Sequence, residues 1–217
     1  MTDERLAAVA ERYGIELPAE QIELLQRYCA LLWDWNTKIN LTRHTDYEKF
    51  VARDLVDSLA FAEFLQRQEK VVDVGSGGGV PGVVLAIVRP DLEITLTESI
   101  GKKAKVLDDV VARLGLGVRV FHGRAEQLLA ERRQDVLVIR AVARLAKLLD
   151  WFRPLWGRFG RMLVLKGPSW VEERGEARHL GRLRGIELRK RKSYLIPGTD
   201  AESVLLEIRN SEVGIRK

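Results

Sequence analysis

The chain has 217 residues, 46% hydrophobic and 31% charged, too apolar for a disordered segment and long enough to bury a core without disulfide or metal staples. A single cysteine, Cys29, excludes a disulfide framework or a Cys-ligated cluster within one chain, and no run of about twenty apolar residues is present to span a bilayer. The net charge of +5 is uneven, with 8 basic against 13 acidic side chains in 1–69, 13 against 10 in 70–150, and 15 against 8 in 151–217. A basic C-terminal part suits a polyanionic partner or a merely solvated surface.

The opening MTDERLAAVAERYG is acidic and helical in pattern, unlike a signal peptide, so a cytoplasmic protein is expected. After Leu17-Pro18, the residues Ile22, Leu25, Cys29 and Leu32 recur at three- and four-residue steps and predict a helix with one buried stripe. Cys29 lies on that stripe and reads as a core thiol. A second helical stretch is predicted near 46–68, through Phe50, Leu55, Leu59, Ala62 and Leu65. The connector NTKINLTRHTD between them offers Arg43 and His44 to a ligand or to solvent.

From Lys70 the texture changes to alternating strands and helices. VVDVG, EITLTE, VRVFHG, DVLVIRA and GRMLVLKG read as buried strands, separated by helices over VPGVVLAIVRP, GKKAKVLDDVVARLG, a short segment, and RLAKLLDWFRPLW. That alternation predicts a parallel sheet covered by helices on both faces. ELRKRKSYLIPG and SVLLEIRN then form an expected antiparallel pair at the sheet edge, joined through a Pro-Gly turn. The division expected is a helical cap over 1–69 and a ligand-binding α/β domain over 70–217.

The strongest local signal is Val71-Val72-Asp73-Val74-Gly75-Ser76-Gly77-Gly78-Gly79-Val80-Pro81-Gly82. Glycines after a first strand let the backbone turn sharply and approach a ligand. Asp73 just before them is a poor neighbour for a pyrophosphate and a good one for the cationic amine of S-adenosylmethionine. Glu98, at the end of the second predicted strand, can accept both hydroxyls of a ribose, in an adenosyl or a nicotinamide ligand alike. Near Gly123-Arg124-Ala125-Glu126, a backbone amide or the Glu126 carboxylate can read an adenine edge; Glu126 equally suits a helix start.

DVGSGGGVPG, ESIGKK, GRAEQ, IRA and LKG, with INLT and RDLVDSL upstream, stand in an order that resembles the ribosomal RNA small subunit methyltransferase G family, also called glucose-inhibited division protein B. The resemblance covers roughly residues 20–210. It implies a Rossmann-like class I methyltransferase fold, with a mostly parallel seven-stranded sheet, an N-terminal helical cap and an antiparallel terminal edge. It implies S-adenosyl-L-methionine as cofactor and N7 of a guanine in 16S ribosomal RNA as acceptor, with small-subunit RNA or the assembling small subunit as partner. By motif position it implies cofactor contacts from Gly75, Val80, Glu98, Ala125, Glu126 and Arg140.

The residues themselves agree with that chemistry. The segment DVLVIRAVARL lacks the proline motif common in exocyclic-amine methylation, and Cys29 stands apart from the strand ends where a pyrimidine C5 nucleophile would sit. Guanine N7 has an exposed lone pair, so no general base is expected; Arg140 and Lys166, at consecutive strand ends, are candidates for positioning guanine O6 or a phosphate. Arg189, Lys190, Arg191 and Lys192, with Tyr194 nearby and Arg182 and Arg184 before them, are candidates for RNA docking or for guarding an edge strand. Two other readings remain at this point: a nicotinamide-dependent oxidoreductase of Rossmann type and a non-catalytic RNA-binding protein. No metal site is suggested by the scattered His44, His122 and His179.

Overall fold

The computed structural model describes residues 5–211. The first four residues of the predicted N-terminal helix and the last six of the predicted α/β domain lie outside that range. Seven strands form one sheet: β1 (Lys70–Val74), β2 (Glu93–Glu98), β3 (Arg119–His122), β4 (Val136–Arg140), β5 (Arg161–Lys166), β6 (Ile186–Leu195) and β7 (Glu202–Asn210). Their spatial order is β3-β2-β1-β4-β5-β7-β6, parallel from β3 to β5 and antiparallel at β5–β7 and β7–β6. Order reverses beside β1, so the ends of β1 and β4 open the crevice where an open α/β sheet binds its ligand.

Burial explains the central strands. In β1, Val71 to Val74 are all buried, and β4 and β5 bury every residue but their last. Both faces of the sheet are therefore covered. One face packs against α1 (Leu6–Arg12), α2 (Ala19–Asn36), α4 (Val56–Ala62), α5 (Gly82–Val88) and α6 (Gly101–Leu114), in a single core that runs from Leu6 and Leu25 through Val71 and Val83 to Leu205. The other face packs against α7 (Ala125–Glu131), α8 (Leu145–Phe152) and α9 (Trp170–His179). The expected cap thus shares its core with the sheet. A buried ion pair adds a second tie, for Arg161 at the start of β5 meets both oxygens of Glu69 at 2.6 and 2.9 Å.

Two elements depart from the sequence reading. The stretch predicted as one helix near 46–68 is α3 (Tyr47–Lys49), a π-helical segment over Phe50–Leu55, and α4, which stops at Ala62. Asp54 in the π-helical segment and Asp57 in the first turn of α4 are both buried, and π segments recur at functional sites. The helix α9 has no counterpart in the sequence reading. Its buried residues are only Glu173 and Ala177, too few to produce a periodic apolar stripe.

Candidate cofactor crevice and acceptor cavity

The glycine turn is built by backbone geometry that side chains would obstruct. Gly75, Gly77 and Gly79 have φ of +68°, +57° and +105°, in the left-handed region that favours glycine. A Cβ on Gly82 would stand 2.2 Å from Leu96 and 2.6 Å from the Asp73 carboxylate, so α5 approaches β1 closely only because that residue is glycine. Asp73 fastens the turn, its Oδ2 accepting from the Gly82 amide at 3.0 Å. Burial pushes the Asp73 carboxyl up to about 6, against the hydrogen bonds from Ser76 and Gly82 and the charge of Arg140.

Glu98 closes the other side. One oxygen accepts from the Gly77 amide at 3.0 Å and the other from the Ile100 amide at 2.8 Å. Each oxygen keeps acceptor capacity for one further donor. Thr97 links the two strand ends, donating to the Asp73 carbonyl at 2.9 Å.

These strand ends surround a crevice of about 180 Å³, walled by Gly75, Thr97, Ser99, Ala125, Glu126 and Trp151 among others. Of the residues expected at the cofactor, Gly75, Ala125 and Glu126 line it; Glu98 is not in its wall, although its neighbours Thr97 and Ser99 are, and Arg140 lines the neighbouring cavity instead. Val80 instead packs half-buried against the core. Thr97, Ser99 and Trp151 were missed. Trp151 reads as core packing from its helical spacing, and only the turn of α8 over the strand ends brings it to the crevice.

Val142 is a wall of this crevice and also of a second cavity, of about 550 Å³, lined by His44, Arg53, Arg140, Arg144 and Lys166 together with Asp57 and Glu173. Between the two, Ala141 has φ of +56°, a strained conformation for a residue with a Cβ. Arg140 is mostly buried here. Its Nε donates to Asp57 at 2.9 Å and its Nη2 to Asp54 at 2.7 Å. Burial opposes the Arg140 charge, but the two carboxylates outweigh it and hold the guanidinium above its ordinary pKa. Asp54 also meets His44 Nδ1 at 2.9 Å, and Asp57 accepts from the Tyr194 hydroxyl at 2.6 Å. Burial, reinforced by Asp57, drives the Tyr194 hydroxyl well up. Lys166 pairs with Glu173 at 2.7 Å and donates to the Ala143 carbonyl.

The basic strand lies apart, on the outer edge of the sheet. Arg189 pairs with Glu187 and Lys192 with Glu63, while Lys190 and Arg191 stand 3.8 and 4.0 Å from Glu202 and Glu207. Cys29 is buried, and burial raises its thiol pKa far beyond the range of a nucleophile. Among the described residues, no three His, Cys, Asp or Glu gather as a metal site, and no helix is long and apolar enough to cross a membrane.

A sheet of this order, with a glycine turn after β1 and an acid at the end of β2, is the class I S-adenosylmethionine-dependent methyltransferase fold. Solved structures share it: the METTL16 methyltransferase domain at a TM-score of 0.59 and 11% identity, covering 96% of this chain and 93% of that one. TrmK from M. capricolum, in complex with S-adenosyl-homocysteine, aligns at 0.55 and 12% identity over 71% of this chain and 67% of that one. The family is narrower. Residues 21–195 match the family model described as rRNA small subunit methyltransferase G, and the chain belongs to that family. A relative named ribosomal RNA small subunit methyltransferase G, from Rhodopirellula baltica, is 48% identical over 194 residues, 89% of this chain and 84% of the relative. One of the same name from Clostridium novyi is 34% identical over 211 residues, 94% and 87% of the two chains. The methyltransferase reading stands, and the nicotinamide reading falls with it.

Proposed function

We infer that this protein transfers a methyl group from S-adenosyl-L-methionine to N7 of a guanine in 16S ribosomal RNA. The observation that carries this reading is Val142, which walls both the glycine-turn crevice and the cation-lined cavity beside it. One chamber suits the adenosyl part of a cofactor, with Glu126 in its wall; the other suits a base attached to phosphates. The crevice fits the cofactor on its own chemistry: positive-φ glycines leave the turn bare of side chains, and Glu98 retains acceptor capacity for hydroxyls. Gly75, Glu98, Ala125 and Glu126 are the residues that would hold it. Val80 and Arg140, at the edges of that set, would act on it through the loop and the strand end.

When bound, S-adenosylmethionine supplies a methyl group activated by its sulfonium. The protein's task is then alignment. Guanine N7 presents a lone pair in the ring plane, so no proton leaves before attack, and the acceptor must be held at about 3–3.5 Å in a dry site. The Lys166 ammonium has three N–H groups, of which the Ala143 carbonyl and Glu173 take two. The third is free to donate to guanine O6 or a phosphate. Arg140 fixes the cavity wall by clamping Asp54 and Asp57, and its remaining N–H donors line the acceptor side. The basic strand Arg189, Lys190, Arg191 and Lys192 serves as an outer phosphate contact. The acceptor is the RNA of the assembling or mature small subunit, reached in the cytosol.

Nucleoside-resolved mass spectrometry of small-subunit RNA, from cells with and without this gene, tests the reading. A 7-methylguanosine that disappears with the gene supports it; levels unchanged at every site would sink it. Calorimetry with S-adenosylhomocysteine and NADH is the independent check on the crevice.

A further inference from the structure

Beside α9 lies a groove of about 560 Å³ whose lining is basic and contains no carboxylate. Arg174, Arg178 and His179 reach it from α9, and Arg184 from the turn before β6, over a floor that includes Leu183 and Leu188. Two glycines with positive φ, Gly181 at +70° and Gly185 at +69°, fold the turn back so that Arg184 joins the end of the helix.

Charge accounting sets this groove apart from the basic strand. Each cation from Arg189 to Lys192 faces a glutamate. Around the groove the acids are already taken: Glu176 by Arg144, Asp150 by Arg182 and Glu187 by Arg189. Among the described residues, Arg178 and Arg184 are exposed and carry no ion pair. Arg178 and His179 in the last turn of α9 complement the helix dipole, but Arg184 lies beyond the helix and has no such reason to be there.

We propose that this groove binds the phosphate backbone of the substrate RNA outside the methylated loop. This rests on the ribosomal RNA reading above. Trp170, Arg174 and Arg178 stand at i, i+4 and i+8 and share one face of α9, with the Arg174 guanidinium 5.1 Å from the Trp170 ring. At its start, α9 is fastened to the acceptor cavity, where Glu173 pairs with Lys166 and accepts from the Leu145 amide. The helix has 10 residues, about 15 Å at its rise per residue.

The test is salt-titrated binding of intact 16S ribosomal RNA, and of a short hairpin holding only the target loop, to wild type and to Arg178→Ala/Arg184→Ala. For the variant on intact RNA, the slope of log affinity against log salt should flatten by about 1.4–1.8, two phosphate contacts' worth. Hairpin binding and S-adenosylhomocysteine binding should stay at wild-type levels, and Arg178→Lys/Arg184→Lys should restore the slope. An unchanged slope on intact RNA overturns the proposal. Equal loss on both RNAs overturns the distal placement. Failure of wild type to bind 16S RNA sinks the underlying reading, a result separable from failure of the groove.

Discussion

The Tyr28 hydroxyl on α2 donates to the Gly78 carbonyl at 2.9 Å, so the helical N-terminal region holds the glycine turn in place. Leu32 and Leu41 crowd the same glycine, where a Cβ would stand 3.1 Å from Leu32. The helical N-terminal region thus packs directly on the glycine turn. Tyr28→Phe leaves the Gly78 carbonyl without this donor and should cost about 1–2 kcal/mol of stability. It should also weaken S-adenosylhomocysteine binding several-fold. Denaturant titration and calorimetry measure the two; binding that remains at the wild-type level would detach the cap from the site.

At Gly75 the backbone has φ of +68°, and a Cβ would stand 3.3 Å from Val142. Gly75→Val should therefore abolish S-adenosylhomocysteine binding, by strain in the turn and by narrowing the wall shared with the acceptor cavity. Glu98→Ala frees the Gly77 and Ile100 amides as well as any ribose partner, and should weaken binding by about 1.5–3 kcal/mol. Folded variants with normal affinity would move the cofactor elsewhere.

Arg140 is expected to matter first for stability. It is the single cation between the buried carboxylates of Asp54 and Asp57. Arg140→Met removes that cation and leaves Asp54 with His44 and Asp57 with the Tyr194 hydroxyl, and breaking a buried pair costs about 3–5 kcal/mol. Thermal unfolding should show that loss. A stable, inactive Arg140→Met would instead assign the guanidinium directly to substrate.

How much of this was legible in the sequence depends on how local each signal is. The glycine turn was readable because a strand end, a run of glycines and an acid lie within one βαβ unit, but Asp73, expected beside a cationic amine, is buried and fastens the turn through the Gly82 amide instead. Strands β1, β4 and β5 announced themselves as β-branched runs buried on both faces. The carboxylates that engage Arg140 sit 86 and 83 positions away, and no spacing rule joins them. Helix α9 was invisible for a different reason: it presents charge on nearly every face and buries only Glu173 and Ala177. The basic strand was visible as charge, but its glutamate partners come from β7, α4's end and its own start, which composition cannot pair.

Asp73 gives a pH prediction. Its folded carboxyl titrates near 6, above the ordinary aspartate value of 3.8, so the folded state holds this proton more tightly than the unfolded one. The group's contribution to stability is greatest below about pH 4 and is lost as pH rises through about 6. The shift of about two units corresponds to roughly 3 kcal/mol. Asp73→Asn can still accept from the Gly82 amide but carries no charge. The variant should show a flatter stability profile between pH 4 and 6, and at pH 7 should equal or exceed wild type. A variant whose profile keeps the wild-type slope would place the titration in another group.

The basic strand is the last case, and its geometry divides the four cations. β6 is the outermost strand, and its register against β7 shifts between Lys190 and Lys192, leaving Arg191 as the extra residue of a bulge. The Arg191 guanidinium lies 5.0 Å from the Phe64 ring, and Lys192 pairs with Glu63. Those two hold the edge strand to the end of α4. Arg189 and Lys190 are the more exposed pair, with side chains 60% and 46% accessible, and exposed pairs to glutamate are weak enough for phosphate to displace. Arg189→Ala/Lys190→Ala should therefore flatten the salt dependence of RNA binding by about 1.4–1.8 while leaving cofactor affinity and stability intact. Arg191→Ala/Lys192→Ala should change the slope less and lower stability by about 1 kcal/mol, with more aggregation as the edge loosens. Salt-titrated binding together with light scattering separates the two effects. If neither pair changes the slope, the strand is a guarded edge only, and RNA affinity rests on the groove beside α9.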